Sequence, residues 1–253
     1  MMLEIFILSI IQGITEFLPV SSSSHLILIS EYLNFQHQSI SIDVSLHIGS
    51  FIAVITYFRK DIFNFIKNKD LFFKIIISSI PVMFIGFLLV QFELIYQLRN
   101  IKLIGWTTII FGVFLYVSDK SKVNKKIKKE FTFKSAIFIG MLQIFSLIPG
   151  VSRSGVTITA ARILEYDRLD SAKISFLLSI PTLAAVSIFG FKNLITSENI
   201  DFSILNLISI LLSFIFSYVT IKFFLTFIRN FSLNLFVFYR IILGIFILII
   251  AYL

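Results

Sequence analysis

The chain has 253 residues, of which 57% are hydrophobic and only 14% charged, and its net charge is +8. Soluble globular domains average roughly 45–50% apolar and about 25% charged residues, so this composition excludes an ordinary soluble domain. The absence of cysteine excludes disulfides and thiolate metal sites. The basic residues cluster in loops, which favours cytoplasmic membrane loops over nucleic-acid binding. Apolar runs such as 235–253 have the length and purity of bilayer-spanning helices, and we expect an integral membrane protein.

The first apolar segment is interrupted in its middle by PVSSSSH, residues 19–25. About ten residues follow Ser23 before Asn34, and as a helix they cover roughly 15 Å, about half of the hydrocarbon core. The segment is therefore either a broken spanning helix or a hairpin that turns back near the midplane. Irregular backbone and polar side chains are costly at that depth, and they indicate a functional site.

The two halves of the chain resemble each other. A shift of 130 positions matches Pro19 with Pro149, Ser22 with Ser152, Ser24 with Ser154 and Ser45 with Ser175. Each half then has three apolar segments, at about 44–58, 71–93 and 101–118, and at about 174–191, 201–228 and 234–253. We predict a single membrane domain, 1–253, made of two repeats (about 1–119 and 132–253) joined by a basic cytoplasmic loop, 120–134.

Charge counting chooses between the two topologies. If both interrupted segments are hairpins, fourteen Lys and Arg residues lie on the cytoplasmic side and three on the outer side; if both span, the split is twelve against five. The positive-inside rule favours hairpins. Three spans per repeat is an odd number, so the repeats are inverted, and the site lies where their interruptions meet. We expect an all-α polytopic membrane protein with six transmembrane helices and two re-entrant helical hairpins.

Several polar side chains surround the first interruption. Gln12 and Glu16 are four residues apart and share one helix face. A carboxylate in an apolar arm needs a cation, a metal or a proton, which makes Glu16 a candidate catalytic or metal-binding residue. The alternative is an ion pair with Arg153 that only locks the hairpins together. Helix capping explains one or two of the serines at 21–24, but not four serines together with His25.

The second interruption is PGVSRSGVT, residues 149–157. Gly150 and Gly155 allow close backbone approach, and the helix that follows begins with free N–H groups and a positive dipole end. Arg153 adds a permanent cation whose planar donors suit phosphate oxygens. These groups predict an anion-binding cup, although the spacing of a Walker loop is absent.

One carboxylate, one histidine, hydroxyls and one arginine in a lipid-embedded cavity suit phosphoryl transfer, which depends mostly on positioning and charge neutralisation. Arg153 and the nearby backbone N–H groups would hold the terminal phosphate. Glu16 could bind Mg²⁺ or a similar hard cation that bridges a diphosphate. Ser22, from its alignment with Ser152, could attack once His25 or Glu16 accepts its proton, and a water could do the same.

The stretches QGITEFLPVSSSSHL (12–26) and PGVSRSGVTI (149–158) resemble the two signature motifs of the bacterial undecaprenyl-diphosphatase family, also known as bacitracin-resistance proteins. The similarity extends over essentially the whole chain. It implies the fold described above and removal of the terminal phosphate from undecaprenyl diphosphate in the bacterial plasma (inner) membrane. That reaction recycles the lipid carrier for cell-wall synthesis and confers bacitracin resistance. The resemblance also implies a divalent cation, Mg²⁺ or Ca²⁺, and a site open to the outer (periplasmic) face.

The resemblance assigns roles by position. Glu16, Ser22, His25 and Arg153 fall on the family's catalytic positions, with Glu16 also as metal ligand. Ser21, Ser23 and Ser152 lie beside these positions, and we expect Gln12, Ser21, Ser23, Ser152, Ser154 and Gly155 to bind the substrate. Because Gln12 stands where the family has Glu or Gln, this chain offers a metal one carboxylate rather than two. Ser23 and Ser24 stand where Thr-Gly is common.

A transporter or flippase for an anionic polyprenyl phosphate lipid is the competing function, since inverted repeats with broken helices also build secondary transporters. Glu16 and His25 favour the enzyme, because a phosphate site gains nothing from a nearby carboxylate without a metal or a proton transfer. The expected partners are the polyprenyl diphosphate lipid and the membrane, without nucleic acid, and a homodimer is left open. The weakly charged loops around 34–43 and 192–200 could form an outer mouth, which His47 could line unless it has a capping role.

Overall fold

The computed structural model describes residues 2–33, 35, 39–67, 69–94, 97–196 and 204–253. Parts of the expected outer mouth, residues 34, 36–38 and 197–200, lie outside the described residues.

The described part of the chain is built from helices. The first repeat contains α1 (Met2–Thr15), α2 (Ser22–Tyr32), α3 (Ile40–Tyr57), α4 (Arg59–Lys67), α5 (Lys69–Gln91) and α6 (Ile101–Asp119). The short helix α7 (Ile127–Glu130) lies in the linker. The second repeat contains α8 (Phe133–Gln143), a 3₁₀ turn (Ile144–Leu147), α9 (Arg153–Ile163), α10 (Arg168–Thr196), α11 (Ile204–Asn230) and α12 (Asn234–Tyr252).

Five helices of the described residues, α5, α6, α10, α11 and α12, are long and apolar enough to cross a membrane. The outer faces of these helices carry large apolar side chains, such as Ile188 and Ile242, that are about 70% exposed. Such faces are expected where lipid replaces water. The sixth expected span, α3, has 18 residues and is about 27 Å long at 1.5 Å per residue. An all-α polytopic membrane protein is thus confirmed.

Both interrupted segments fold back on themselves. The hydroxyl of Tyr166, which follows α9, donates to the carbonyl of Glu130 at 2.8 Å and lies 3.2 Å from Ser135 Oγ at the start of α8. In the first repeat, Leu26 of α2 belongs to the same buried cluster as Ile5 of α1, whereas an unbroken helix would separate them by about 30 Å. The hairpin shape is as expected, and the entry of each hairpin into the bilayer from one side stays a prediction.

The structure corrects the alignment of the two tips. Ser21 and Ser152 directly precede α2 and α9, and both have a left-handed φ, 79° and 69°. They are therefore equivalent, at an offset of 131 residues rather than 130. The expected match of Ser22 with Ser152 is wrong by one position, and Ser22 corresponds to Arg153.

The reason lies in the second tip. The alignment rested on Pro19 and Pro149, but one more residue separates the proline from the helix start in the second tip than in the first. The extra length includes Gly150, whose φ of 93° is accessible to glycine and strained for other residues. Gln12 and Gln143, out of phase at 130, are in register at 131.

A charged cluster anchors the linker between the repeats. Asp119, the last residue of α6, accepts hydrogen bonds from Arg168 Nε at 2.6 Å and Nη2 at 2.9 Å, and from the backbone N–H of Leu233 at 3.2 Å. The buried Arg162 donates to the carbonyls of Asp119 at 3.0 Å and of Tyr166 at 2.5 Å. The end of α6 is thereby tied to the second hairpin and to α12.

The turn at Gly150 allows a stability prediction. A Cβ there would lie 2.7 Å from the Ile104 carbonyl oxygen and would overlap Thr107 Oγ1, in addition to the strained φ. We expect Gly150→Ala to lower the free energy of unfolding by roughly 2 kcal/mol or more, measured by thermal unfolding in detergent. The control is Gly86→Ala, whose Cβ would meet the flexible Leu147 side chain at 3.3 Å. Equal stability losses in the two variants would contradict the prediction.

Candidate active site

The two hairpin tips contact each other directly. Ser154, in the first turn of α9, donates to the carbonyl oxygen of Leu18 at 2.7 Å. Arg153, the first residue of α9, forms an ion pair with Glu16, with 2.8 Å between Nη2 and Oε1. The structure therefore brings the two interruptions together, as the inverted repeat predicts.

Glu16 is the carboxylate on which both tips converge. Its side chain is only 8% exposed. Oε1 accepts from Arg153, and Oε2 accepts from Ser22 Oγ at 2.8 Å and from Gln12 Nε2 at 3.1 Å. Because Ser22 and Arg153 are the first residues of α2 and α9, equivalent positions of the two repeats hold the two oxygens of one carboxylate.

The two helix starts differ in their capping. Ser152 Oγ accepts from the backbone N–H of Gly155 at 3.1 Å, which caps α9. Ser21 occupies the same position before α2, but its hydroxyl contacts Ser24 Oγ at 3.0 Å and makes no capping bond. Capping thus explains Ser152 and leaves the serines of the first tip available for other contacts. Arg153 also donates through Nη1 to a backbone carbonyl of α10 at 3.2 Å.

A cavity of about 490 Å³ adjoins the Glu16–Arg153 pair. Its polar end is formed by both tips, with Glu16, Ser21, Ser22, Ser23, Ser152 and Arg153. Its walls are apolar side chains of α5 and α10, among them Val82, Phe87, Val90, Leu183, Val186 and Phe189. The volume lies within the range of small-molecule sites. A polar end with apolar walls fits an amphiphile whose charged group reaches the tips.

Arg240 of α12 is a buried cation that supports both tips. Its side chain is fully buried and donates to the carbonyls of Gly150 at 2.8 Å, Val151 at 3.0 Å and Pro19 at 3.3 Å. Nε donates to the Thr108 carbonyl of α6 at 3.1 Å. Irregular backbone at membrane depth leaves carbonyls without helical partners, and one guanidinium satisfies several of them.

The family model described as bacitracin resistance protein BacA matches residues 5–246. The chain belongs to the BacA family. It is 51% identical over 251 residues to the undecaprenyl-diphosphatase of Pelagibacter ubique (strain HTCC1062), covering 99% of this chain and 98% of that protein. Undecaprenyl-diphosphatases of Jannaschia sp. (strain CCS1) and Aliivibrio salmonicida (strain LFI1238) are 38% and 42% identical, with 98% and 95% of each chain covered.

The resemblance to this family, which the motifs indicated, is confirmed. Six of the predicted site residues line the cavity: Glu16, Ser21, Ser22, Ser23, Ser152 and Arg153. Gln12 and Ser154 lie buried behind the lining and bond to the tips. Gly155 leaves room for Arg240, since a Cβ there would be 2.8 Å from Nη1.

His25 has a different setting from the other predicted residues. Nδ1 lies 2.6 Å from the Ser21 carbonyl oxygen and Nε2 lies 2.5 Å from the Tyr239 hydroxyl, and the two rings stack at 5.7 Å. Both ring nitrogens are engaged, and the ring does not line the cavity. Instead, His47 of α3 lines it, with Nδ1 2.7 Å from the Asp43 carbonyl oxygen.

Two residues that contact the tips or His25, Arg240 and Tyr239, had no role in the sequence analysis. Both lie in the last apolar span, which was read only as a membrane helix. The available signal was Arg240 itself, because an arginine within a spanning segment indicates function by default. The partners of the two side chains could not be known from sequence, since they lie between 89 and 221 residues away along the chain.

The buried contacts of Arg240 allow a prediction about stability. We expect Arg240→Met, which keeps the length and removes the donors, to lower the free energy of unfolding by at least about 2 kcal/mol, because carbonyls of both tips lose a charged partner. Arg240→Lys keeps the charge without the planar fork, and we expect intermediate stability. Thermal unfolding in detergent measures both. A Met variant as stable as the unchanged protein would contradict this role.

Proposed function

We propose that this chain hydrolyses undecaprenyl diphosphate to undecaprenyl phosphate and inorganic phosphate, and so returns the lipid carrier to cell-wall synthesis and confers bacitracin resistance. The observation that carries the proposal is the cluster of Glu16, Ser22 and Arg153 at the polar end of a cavity with apolar walls. A lipid diphosphate has the matching shape, with its anionic group at the tips and its chain along α5 and α10. The relatives' names agree with this reaction.

The second tip is suited to hold the terminal phosphate. Arg153 offers a planar set of donors, and the start of α9 offers backbone N–H groups and the positive end of its dipole. Since Arg153 is already paired with Glu16 at 2.8 Å, a bound phosphate would share the guanidinium with the carboxylate. That sharing would place the phosphorus beside Ser22.

The first tip is suited to move a proton. Ser22 Oγ donates to Glu16 Oε2 at 2.8 Å, which is the geometry of a hydroxyl and its general base. We propose that Glu16 accepts a proton as Ser22, or a water that Ser22 orients, attacks the terminal phosphorus. The bond to the bridging oxygen breaks, and the lipid monophosphate leaves. Attack by water gives inorganic phosphate directly, whereas attack by Ser22 gives a phosphoserine that a water then hydrolyses, which releases inorganic phosphate and restores the hydroxyl. Arg153 stabilises the charge that develops on the phosphoryl oxygens.

We propose a divalent cation, Mg²⁺ or Ca²⁺, as cofactor. Glu16 and Gln12 would hold it: within the described residues, Gln12 Oε1 is buried without a hydrogen-bond partner, and hard cations favour such oxygen donors. The described residues contain no group of three His, Asp or Glu that could form a protein-only metal site. Binding would therefore depend on diphosphate oxygens. When bound, the ion would neutralise charge on the diphosphate.

The catalytic role expected for His25 stays a prediction that its setting does not favour. Its bonds to the Ser21 carbonyl oxygen and to Tyr239 suit a positioning residue that fixes the backbone before α2.

We propose the bacterial inner membrane as location, with the cavity open to the periplasmic side. The segment 59–70, which contains α4 and the start of α5, is basic, and α10 begins with Arg168, so the positive-inside rule favours a cytoplasmic position for the starts of α5 and α10. The apolar walls of the cavity come from the later halves of both helices, such as Val90 and Phe189. A homodimer stays a prediction, to be tested by sedimentation in detergent.

The reaction can be tested by phosphate release from a polyprenyl diphosphate with purified protein in detergent. We expect metal-dependent release by the unchanged protein, and losses of about 100-fold or more in Arg153→Ala and Glu16→Gln, because each removes a charge needed in the transition state. Ser22→Ala distinguishes serine attack from water attack: loss of the nucleophile abolishes the former, whereas loss of an orienting hydroxyl only slows the latter, and a phosphoserine can be trapped only in the former. Ser146→Ala removes another hydroxyl near the cavity as control. Folded protein without release at any metal would sink the proposal.

The metal assignment predicts a specific response of Gln12→Glu. Two carboxylates four residues apart repel each other, so with a chelator we expect a lower unfolding temperature than for the unchanged protein. Adding Mg²⁺ or Ca²⁺ should raise the unfolding temperature more in the variant, because ligand binding stabilises the folded state in proportion to affinity. Identical metal responses in the two proteins would argue against a site at these residues.

A further inference from the structure

The two repeats differ in conformation where their helices meet. The repeat relates α3 to α10 and α5 to α11. The contact between α5 and α10 therefore has a counterpart between α3 and α11. Because the repeats are inverted, these two contacts face opposite sides of the membrane.

The contact between α5 and α10 is open. The cavity lies between their later halves. Phe87 of α5 is 58% exposed, and Val186 and Phe189 of α10 are 45% and 43% exposed. Among the residues that the structure describes, no side-chain hydrogen bond joins α5 to α10 where they border the cavity.

The counterpart between α3 and α11 is closed. Ser50 Oγ lies 2.9 Å from Ser217 Oγ, and Ser213 Oγ donates to the Leu46 carbonyl at 2.6 Å. A Cβ on Gly49 would lie 2.8 Å from the Ser213 Cβ, so the helix backbones are in close contact. In the next turns, Val54 of α3 and Ile221 and Phe224 of α11 are 0% exposed.

This closed contact borders the same site from the other direction. A Cβ on Gly13, which follows Gln12, would lie 2.9 Å from the Ser217 backbone nitrogen. The arm that carries Gln12 and Glu16 is therefore packed against the closed pair of helices. Separation of α3 from α11 at the level of Ser217 would expose the tips to the opposite side of the membrane.

We propose that the chain has a second conformation, in which the α5–α10 cavity closes and the α3–α11 contact opens, and that it thereby carries a polyprenyl monophosphate across the membrane. Inverted repeats can exchange conformations, since each can adopt the arrangement that its counterpart shows. The lipid would be the product of hydrolysis, so its identity rests on the proposed function. Arg153 keeps the anionic group at the tips during the change.

The closed contact has the composition of an interface that can separate. When such a pair separates, the hydroxyls of Ser50 and Ser217 can each form a hydrogen bond with water or with a phosphate oxygen instead. By contrast, Arg240 joins the two tips to each other and to α6. The change would thus move helices around a fixed site.

A disulfide tests this motion without background, because the chain has no cysteine of its own. Ser50→Cys with Ser217→Cys replaces two hydroxyls that are 2.9 Å apart, and neither residue belongs to the proposed catalytic site. The double variant is placed in vesicles that contain a radiolabelled polyprenyl monophosphate in both leaflets. A soluble, membrane-impermeant phosphomonoesterase is then added outside. The single variants serve as controls, and thiol labelling confirms oxidation.

We expect the unchanged protein and the reduced variant to let all of the label be released. With the oxidised variant, and in protein-free vesicles, release of label should stop when the monophosphate of the outer leaflet is exhausted. Release that stops there with unchanged protein overturns the proposal, and so does equal release by the oxidised and reduced variant. Hydrolysis of polyprenyl diphosphate is measured in the same vesicles. If the unchanged protein transports the monophosphate but does not hydrolyse the diphosphate, only the phosphatase proposal is refuted, because the transport assay starts from the monophosphate.

Discussion

The ion pair between Glu16 and Arg153 is the interaction on which the rest of the structure depends. Opposite charges within a low-dielectric interior are stable only when they are paired and their other hydrogen-bonding positions are satisfied. Here Ser22, Gln12 and a carbonyl of α10 fill those positions. Each hairpin supplies part of the set, so neither tip has all of its hydrogen-bond partners without the other. The long helices hold the tips at this meeting point and shield them from lipid.

The same constraint explains the backbone of the tips. A chain that reverses inside a membrane has carbonyls without helical partners, and lipid offers them no donors. The structure meets this need with Arg240, a cation bonded to backbone carbonyls of both tips and of α6. The left-handed φ values of Ser21, Gly150 and Ser152 then direct both helix starts toward Glu16. The residues that form the turns are therefore also the residues that position the site.

Much of this followed from sequence, and the failures have physical reasons. Prolines and serines within apolar segments located the tips, and an odd number of spans per half predicted that they meet. The register was wrong by one because Pro19 and Pro149 mark the turns, while the backbone dihedral angles of Ser21 and Ser152 set the equivalence. The setting of His25 depends on Tyr239, far along the chain. Local sequence carries no record of which helix will lie opposite a given side chain.

The equivalence of Ser22 with Arg153 has a consequence for symmetry. Two separate copies of one repeat, paired around a twofold axis, would present the same side chain at both positions, either two hydroxyls or two guanidinium groups. The fused chain presents one of each to a single carboxylate. One half then contributes a neutral hydroxyl and the other a cation at the same carboxylate. Fusion therefore gives the two-repeat scaffold an asymmetry at its centre that an assembly of identical halves could not have.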